Sequence, residues 1–254
     1  MLLPDLASVV AILLVVLLVV PLSWLRPWFP TAPRAQGHHA RPVHLLFLTG
    51  DQGAGKDTVA AELVDCFGFT RVAFADPLRA VAVDAAHNLL GLTNVTNETF
   101  THRETKDTPL RMPWDAHMTP RNLLQYIGTV MRDKVSPDTW VQATVATIAR
   151  AAAAADHNTS LRFVFSDTRF PNEHDAVVRM VLALNNTVLH NTLWRVVDPN
   201  QTARAAQGLH VSDTAMDNVP VSQVVINNKH HTQAAVPSVV RAALQREGAP
   251  WNTL

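Results

Sequence analysis

The chain is poor in several residue types. Its 254 residues include one cysteine, one tyrosine and nine glycines, and only four of its 21 basic side chains are lysines. A single cysteine excludes an internal disulfide framework. Cys66, at a helical position among apolar neighbours, reads as core. The formal charge is zero, so no bulk field argues for nucleic acid, and neither a nucleic-acid motif nor an aromatic-plus-basic stacking surface is evident. No Ser-His-Asp or Cys-His arrangement stands out, and there is no tandem repeat. Arginine fills the gap left by lysine, seventeen against four, and its planar fork suits phosphates.

Against that scarcity, one stretch gathers three glycines and a lysine: Gly50 to Thr58, GDQGAGKDT. It follows the apolar run Val43–Leu48 and precedes the helix-like run Val59–Phe67. Strand, glycine-rich loop and helix form the context of a phosphate-binding loop. Gly50 and Gly55 let the backbone turn tightly and present N–H groups to an anion, and Gly53 removes a side chain that would crowd it. The following helix aims its positive dipole end at the same point. Lys56 adds a mobile cation for β- and γ-phosphates. One departure stands beside the match. The position after Lys56, normally Ser or Thr, is Asp57, with Thr58 next.

The N-terminus is of another kind. Leu6 to Leu25 is nearly continuous apolar sequence without charge, and about 20 residues at about 1.5 Å rise span one hydrocarbon core. Trp24 and Trp28 sit where an aromatic belt would, and Arg26, Arg34 and Arg41 follow, which predicts an anchor with the C-terminal part cytosolic. A cleaved signal peptide is the rival, although its basic start and small-residue cleavage site are missing. The expected division is an anchor at 1–27, a Pro/Ala/Arg/His linker at 28–41 and one domain at 42–254. Five N-x-S/T triplets, at Asn94, Asn97, Asn158, Asn185 and Asn200, point the other way, to a lumen. Cytosolic nucleotide pools favour the cytosol.

Strand-like and helix-like runs then alternate. Thr70–Ala75 is β-rich, and Asp76-Pro77 opens a helix with Asp as cap, ending near Gly91. Thr93–Met118 is polar and reads as a surface excursion. Thr119-Pro120 restarts a helix on which Arg121, Gln125, Gly128 and Arg132 share a face, a stripe able to line an anion pocket. Pro137-Asp138 caps a helix from Thr139 to Ala155. The strand Leu161–Ser166 ends in Asp167-Thr168-Arg169, followed by a helix to Leu184. A carboxylate and a guanidinium at a strand's C-terminal end lie where α/β folds place ligand chemistry. Asp167 could orient magnesium through water or cap a helix; Arg169 could hold a phosphate. Strands at Thr187–Val197 and Val221–Ile226 and a helix at Val236–Leu244 complete the pattern. It predicts a doubly wound, mainly parallel sheet of P-loop type with helices on both faces, preceded by one hydrophobic helix.

Seven segments together resemble the deoxynucleoside monophosphate kinases of phages and large DNA viruses. They are GDQGAGKDTVA (50–60), FADPLR (74–79), PRNLLQYIGTVMR (120–132), DTWV (138–141), SDTRFPNE (166–173), HVSD (210–213) and VVINN (224–228). They cover most of residues 43–245; the hydrophobic start lies outside them. An Asp after the loop lysine is common in this group, whereas Asp213 stands where the family's segment has Glu.

The resemblance implies transfer of the γ-phosphoryl of ATP, with Mg2+, to a deoxynucleoside monophosphate. The acceptor is an ionised phosphate oxygen, so positioning and charge neutralisation suffice. On this reading Gly50, Gly53, Ala54, Gly55, Lys56, Asp57 and Thr58 bind the donor. Asp57, Thr58 and Asp167 organise the metal, and Lys56, Arg132, Asp167 and Arg169 serve the chemistry. Arg79, Arg121, Arg132 and Arg169 hold the acceptor and Gln125 reads its base. Arg204 and His210 belong to a closing lid, with a hydrogen bond that orders the segment as the other reading of His210. The partners implied are small nucleotides and a membrane at the N-terminus, with a homodimer left open. A phosphomevalonate-kinase-like enzyme shares the GKD, SDTR and late Asp-Asn features, with dephospho-coenzyme A kinase a weaker relative. A membrane-tethered nucleotide-binding module without turnover is the alternative of another class.

Overall fold

The strand ahead of the glycine loop is apolar on both faces, so it needs cover on both sides. In the computed structural model, which describes residues 41–102, 104–112, 115–156, 160–184, 186–200, 211–227 and 235–248, it receives it. Arg41–Thr49 forms β1 at the centre of a five-stranded sheet. Thr70–Val72 is β2, Leu161–Phe165 β3, Asn186–Val197 β4 and Gln223–Ile226 β5. The order is β2-β3-β1-β4-β5 and every pairing is parallel.

Alternation along β1 sorts its side chains. Leu46 and Leu48 join one core with Val59, Ala60 and Leu63 of α1 (Lys56–Phe67) and Val240 and Leu244 of α8 (Ala235–Arg246). Val43, Leu45 and Phe47 join another with α5 (Thr139–Ala154) and α6 (Pro171–Ala183). There the rings of Phe47 and Phe165 stack at 4.3 Å. α2 (Ala75–Asn88) and α4 (Pro120–Lys134) enclose a third, smaller cluster. His44, on the first of these faces, is 4 % exposed and stacks on His190 across β1 and β4 at 5.1 Å. Burial, then His190 and Arg162, lowers its pKa to about 4.

The sheet and the helices on both faces match expectation, and four local readings do not. Cys66 is exposed, because α1 buries Val59, Ala60, Leu63 and Phe67 and the cysteine falls beside that stripe. Asp76 does not cap α2; the helix begins two residues earlier, at Ala75, with Phe74 at the cap position and no bond from its own side chain. Asp138 does precede α5, yet its carboxylate accepts from Asn172 Nδ2 at 2.8 Å instead of capping the helix. The polar excursion carries a short helix, α3 (Asn97–Thr101), and buries Val95, Phe100 and Met112. The apolar run at 6–25 and the linker to residue 40 lie outside the described residues. Among the described residues no helix is long and apolar enough to cross a membrane.

Candidate phosphate-binding site

The loop between β1 and α1 has the backbone that an anion cradle needs. Gly50 has φ 130°, and a Cβ there would collide with the carbonyl oxygen of Val196 on β4. Gly55 has φ 92° and caps α1. Both conformations fall in the left-handed region that side chains resist. The first turn of α1 then points its unpaired N–H groups at the loop's hollow.

Lys56 opens α1 and folds back over the loop. Its Nζ donates to Gly50 O at 2.7 Å and Asp51 O at 2.9 Å. Burial, then the charge of Arg169, lowers its pKa to about 8 against the pull of Asp57, Asp167 and Asp51. A cavity of about 450 Å³ opens beside it. Thr49, Gly50, Gln52 and Lys56 line it together with Thr168, Arg169, Arg195, Asp198, Ser212 and Asp217. Lys56 and Arg169 therefore come together as expected.

The other expected metal and phosphate groups are distributed differently. Asp57 and Thr58 are exposed on the first turn of α1, and Asp57 sits 3.8 Å from Arg71. Asp167 is half-buried. Its two oxygens accept the N–H groups of Phe74 at 2.8 Å and Ala75 at 2.9 Å, so it caps α2 from the neighbouring strand end. Burial raises its pKa, against those N–H groups and the charges of Arg169 and Arg79. Arg79 is largely buried, ion-paired to Asp76 one turn back, with Nε lacking a hydrogen-bond partner among the described residues. Among the described residues no cluster of three acidic, His or Cys side chains could hold a metal alone.

The α4 stripe divides between two places. Eleven residues of helix put about 16 Å between Arg121 and Arg132. Gly128, midway, packs on Leu78 of α2, and its carbonyl accepts from Trp140 Nε1. Arg121 reaches the loop. Its Nε and Nη2 grip Asp107 at 2.5 and 2.9 Å. Its other edge meets Gln52 at 3.0 and 3.2 Å, with the amide turned to present its oxygen. Gln125 follows one turn on and is half-buried. Arg132 lies 3.6 Å over the ring of Phe170, donates to Asn172 Oδ1 at 3.2 Å and stands 3.6 Å from Glu173. Glu173 is buried and accepts from Arg169 N and Phe170 N at 2.7 and 3.0 Å. Burial above all pushes its pKa up to about 7. Glu173 thus sets the turn that carries Arg169, and Arg132 braces that turn. Arg204 and His210 lie outside the described residues.

Three participants were not foreseen from the residue pattern. Arg195 donates to the carbonyls of Met216 at 2.6 Å and Val219 at 3.0 Å, tying down the segment after α7 (Val211–Thr214) beside the cavity. Its place at a strand's C-terminal end was the available signal. Asp107 had none, since it lies in a polar stretch without periodicity. Gln52 lies inside the motif, at a position where the motif allows any residue.

A parallel sheet whose central strand runs into a glycine loop, with a lysine at the start of the next helix, is a P-loop-like α/β fold. No family model matches the chain. Over 90 residues it is 38% identical to a protein of Acanthamoeba polyphaga mimivirus provisionally named deoxynucleotide monophosphate kinase. The match takes in 35% of this chain and 42% of that protein, so it spans less than half the relative's length. It bears out the resemblance to the kinases of large DNA viruses read from the motifs.

Proposed function

We propose that the chain is a nucleotide kinase that moves the γ-phosphoryl of ATP to a deoxynucleoside monophosphate. One observation carries the reading: Lys56 and Arg169 face one cavity beside the glycine loop, and Arg121 joins that same loop to the α4 side through Gln52. The motif resemblance and the viral relative's name support the nucleotide class. The N–H groups of Gly53 to Lys56 hold the donor phosphates. Lys56 gives up its carbonyls to bridge the β- and γ-oxygens. An acceptor phosphate oxygen forms the new P–O bond as the bond to the ADP oxygen breaks, and Arg169 balances the charge on the transferring group. Arg121, Gln125 and Arg79 serve the acceptor; Arg132 acts through the turn it braces. Magnesium, when bound, lowers the charge on the phosphates. With no cluster among the described residues to hold it, most of its ligands would be the nucleotide's own oxygens, with Thr58 or a water on Asp167 as the protein's share. The domain would work where nucleotides are pooled, on the cytosolic side of a membrane tether.

The test uses the full chain in mild detergent with ATP and magnesium. ADP release is followed with the four deoxynucleoside monophosphates, the ribonucleotides and phosphomevalonate. Turnover with one or more deoxynucleotides is expected. Turnover with phosphomevalonate alone would move the enzyme to the other kinase class. Protein that binds ATP and turns over none of them would be a tethered binding module.

A further inference from the structure

We infer that Asn227 is a positioning residue for the phosphate-binding loop, holding the loop's carbonyls outward so that its N–H groups face the anion. The inference rests on the phosphate reading of the loop and adds the residue that shapes it.

In a loop that turns successive N–H groups toward an anion, the carbonyls must point elsewhere. Here Gly50 and Asp51 turn their carbonyls to Lys56 and that of Gly55 accepts from Val59 N, while that of Ala54 turns into the protein, where an unpaired carbonyl is unfavourable. Asn227 stands at that point. It follows β5 directly, is 3 % exposed, and its Nδ2 donates to Ala54 O at 3.1 Å and Gly55 O at 3.5 Å. A side-chain amide has two N–H donors on one nitrogen, enough for both carbonyls. Its own backbone N–H donates to Val197 O at 2.8 Å, which continues the ladder past the strand and fixes where the side chain starts. The neighbouring strand contributes the Val196 carbonyl, against which only glycine fits at position 50. The ends of β4 and β5 therefore hold the loop at its entrance and at its exit into α1.

The other end of the amide argues for the same role. Asn227 Oδ1 is buried and has no hydrogen-bond partner among the described residues. A buried acceptor without a partner lowers stability. That oxygen adds nothing to stability; what the amide supplies is the grip of Nδ2 on the loop. Neither Ala54 nor Gly55 reveals this partner from its own segment, since Asn227 lies 173 and 172 residues away.

The test compares wild type, Asn227→Leu, Asn227→Asp and Val225→Ala in the full chain. Binding of magnesium-ATP and of inorganic tripolyphosphate is measured by calorimetry, with melting temperature and KM for each substrate alongside. Leu keeps the branching of Asn with a bulkier, apolar end, and removes both the grip and the unpaired oxygen. Asn227→Leu is expected to weaken both anions about tenfold, a loss out of proportion to its change in melting temperature when set beside Val225→Ala, and to raise KM for ATP but not for the acceptor. Asp places a carboxylate against two carbonyls and near the anion, so its loss is larger. Val225, 1 % exposed in the same strand, reports packing alone: its alanine variant lowers the melting temperature and leaves both affinities in place. Wild-type affinity in Asn227→Leu would overturn the inference. So would losses of affinity that merely follow melting temperature across all three variants. Wild-type protein that binds neither ATP nor tripolyphosphate would overturn the loop reading and the inference with it.

Discussion

Lys56 couples anion binding to a proton. With its pKa lowered to about 8 in the ligand-free chain, it is mostly charged at pH 7 and mostly neutral at pH 9. Phosphates beside it favour the charged form, so the bound pKa is higher and binding takes up a proton at pH above about 8. Calorimetry in buffers of different ionisation enthalpy should show close to one proton taken up at pH 9 and few at pH 7. Affinity for magnesium-ATP should fall up to about tenfold per pH unit above 8. Lys56→Arg should abolish the uptake, since arginine stays charged. Arg121 is the second residue whose state matters. Asp107 holds one edge of its fork, and the ion pair lowers the Asp107 pKa, through the hydrogen bond first. The pair is partly exposed, so its grip is weak, and a dianionic phosphate can displace it. Arg121→Ala should cost at least about 100-fold in turnover, while ATP affinity measured by calorimetry changes by less than about threefold. Unchanged turnover would remove Arg121 from the acceptor side.

Among the elements, the joint between β1 and α1 tolerates least. Gly50→Ala combines a left-handed backbone with a collision against Val196 O. It should lower stability by about 3 kcal/mol or more in urea unfolding and weaken ATP binding as β4 is pushed away. This element was legible in the sequence because strand, glycines, lysine and helix are consecutive. α4 was nearly as plain: Thr119 accepts from Asn122 N at 3.2 Å, and Pro120 opens the helix. α2 shows why other caps were not. Asp76 had the right local context, but the groups to be satisfied are the N–H groups of Phe74 and Ala75, and Asp167 reaches them from β3. Local chemistry proposes a cap; the sheet order, which puts β2 beside β3, decides which carboxylate arrives. Arg121 and Arg132 teach the same lesson. Spacing places them on one face, yet about 16 Å of helix sends one to the loop and the other to the turn after β3.

Across the whole molecule, two buried groups oppose one another in their response to pH. His44, with a pKa of about 4 against 6.5 when unfolded, contributes stability that is present above 6.5 and lost as pH falls toward 4. Glu173, at about 7 against 4.5, contributes stability that is present below 4.5 and lost as pH rises through 7. Each is worth about 3 kcal/mol at most, and between pH 4.5 and 6.5 they cancel. Stability to urea should therefore vary less with pH in wild type than in either variant. Relative to wild type, His44→Asn should lose stability as pH rises through this window, and Glu173→Gln should gain it. Parallel pH profiles in all three proteins would show that neither group carries the shift. Nothing in the sequence marked these two as a pair. His44 sits at the start of an apolar strand and Glu173 in a helix cap, and each is perturbed by burial that depends on the closed fold.

Lys56 does not wait for its anion with an empty coordination shell. It already holds two oxygens, from Gly50 and Asp51, so the arrival of a nucleotide is a ligand substitution rather than an addition. Substitution sets a threshold. Chloride offers the ammonium less than two well-placed carbonyls do, and a single phosphate can replace them at one point only. A polyphosphate chain can displace both while it fills the row of N–H groups behind. On the proposed function, the resting contact of one scarce lysine would work as a selectivity filter, set by what the lysine must release.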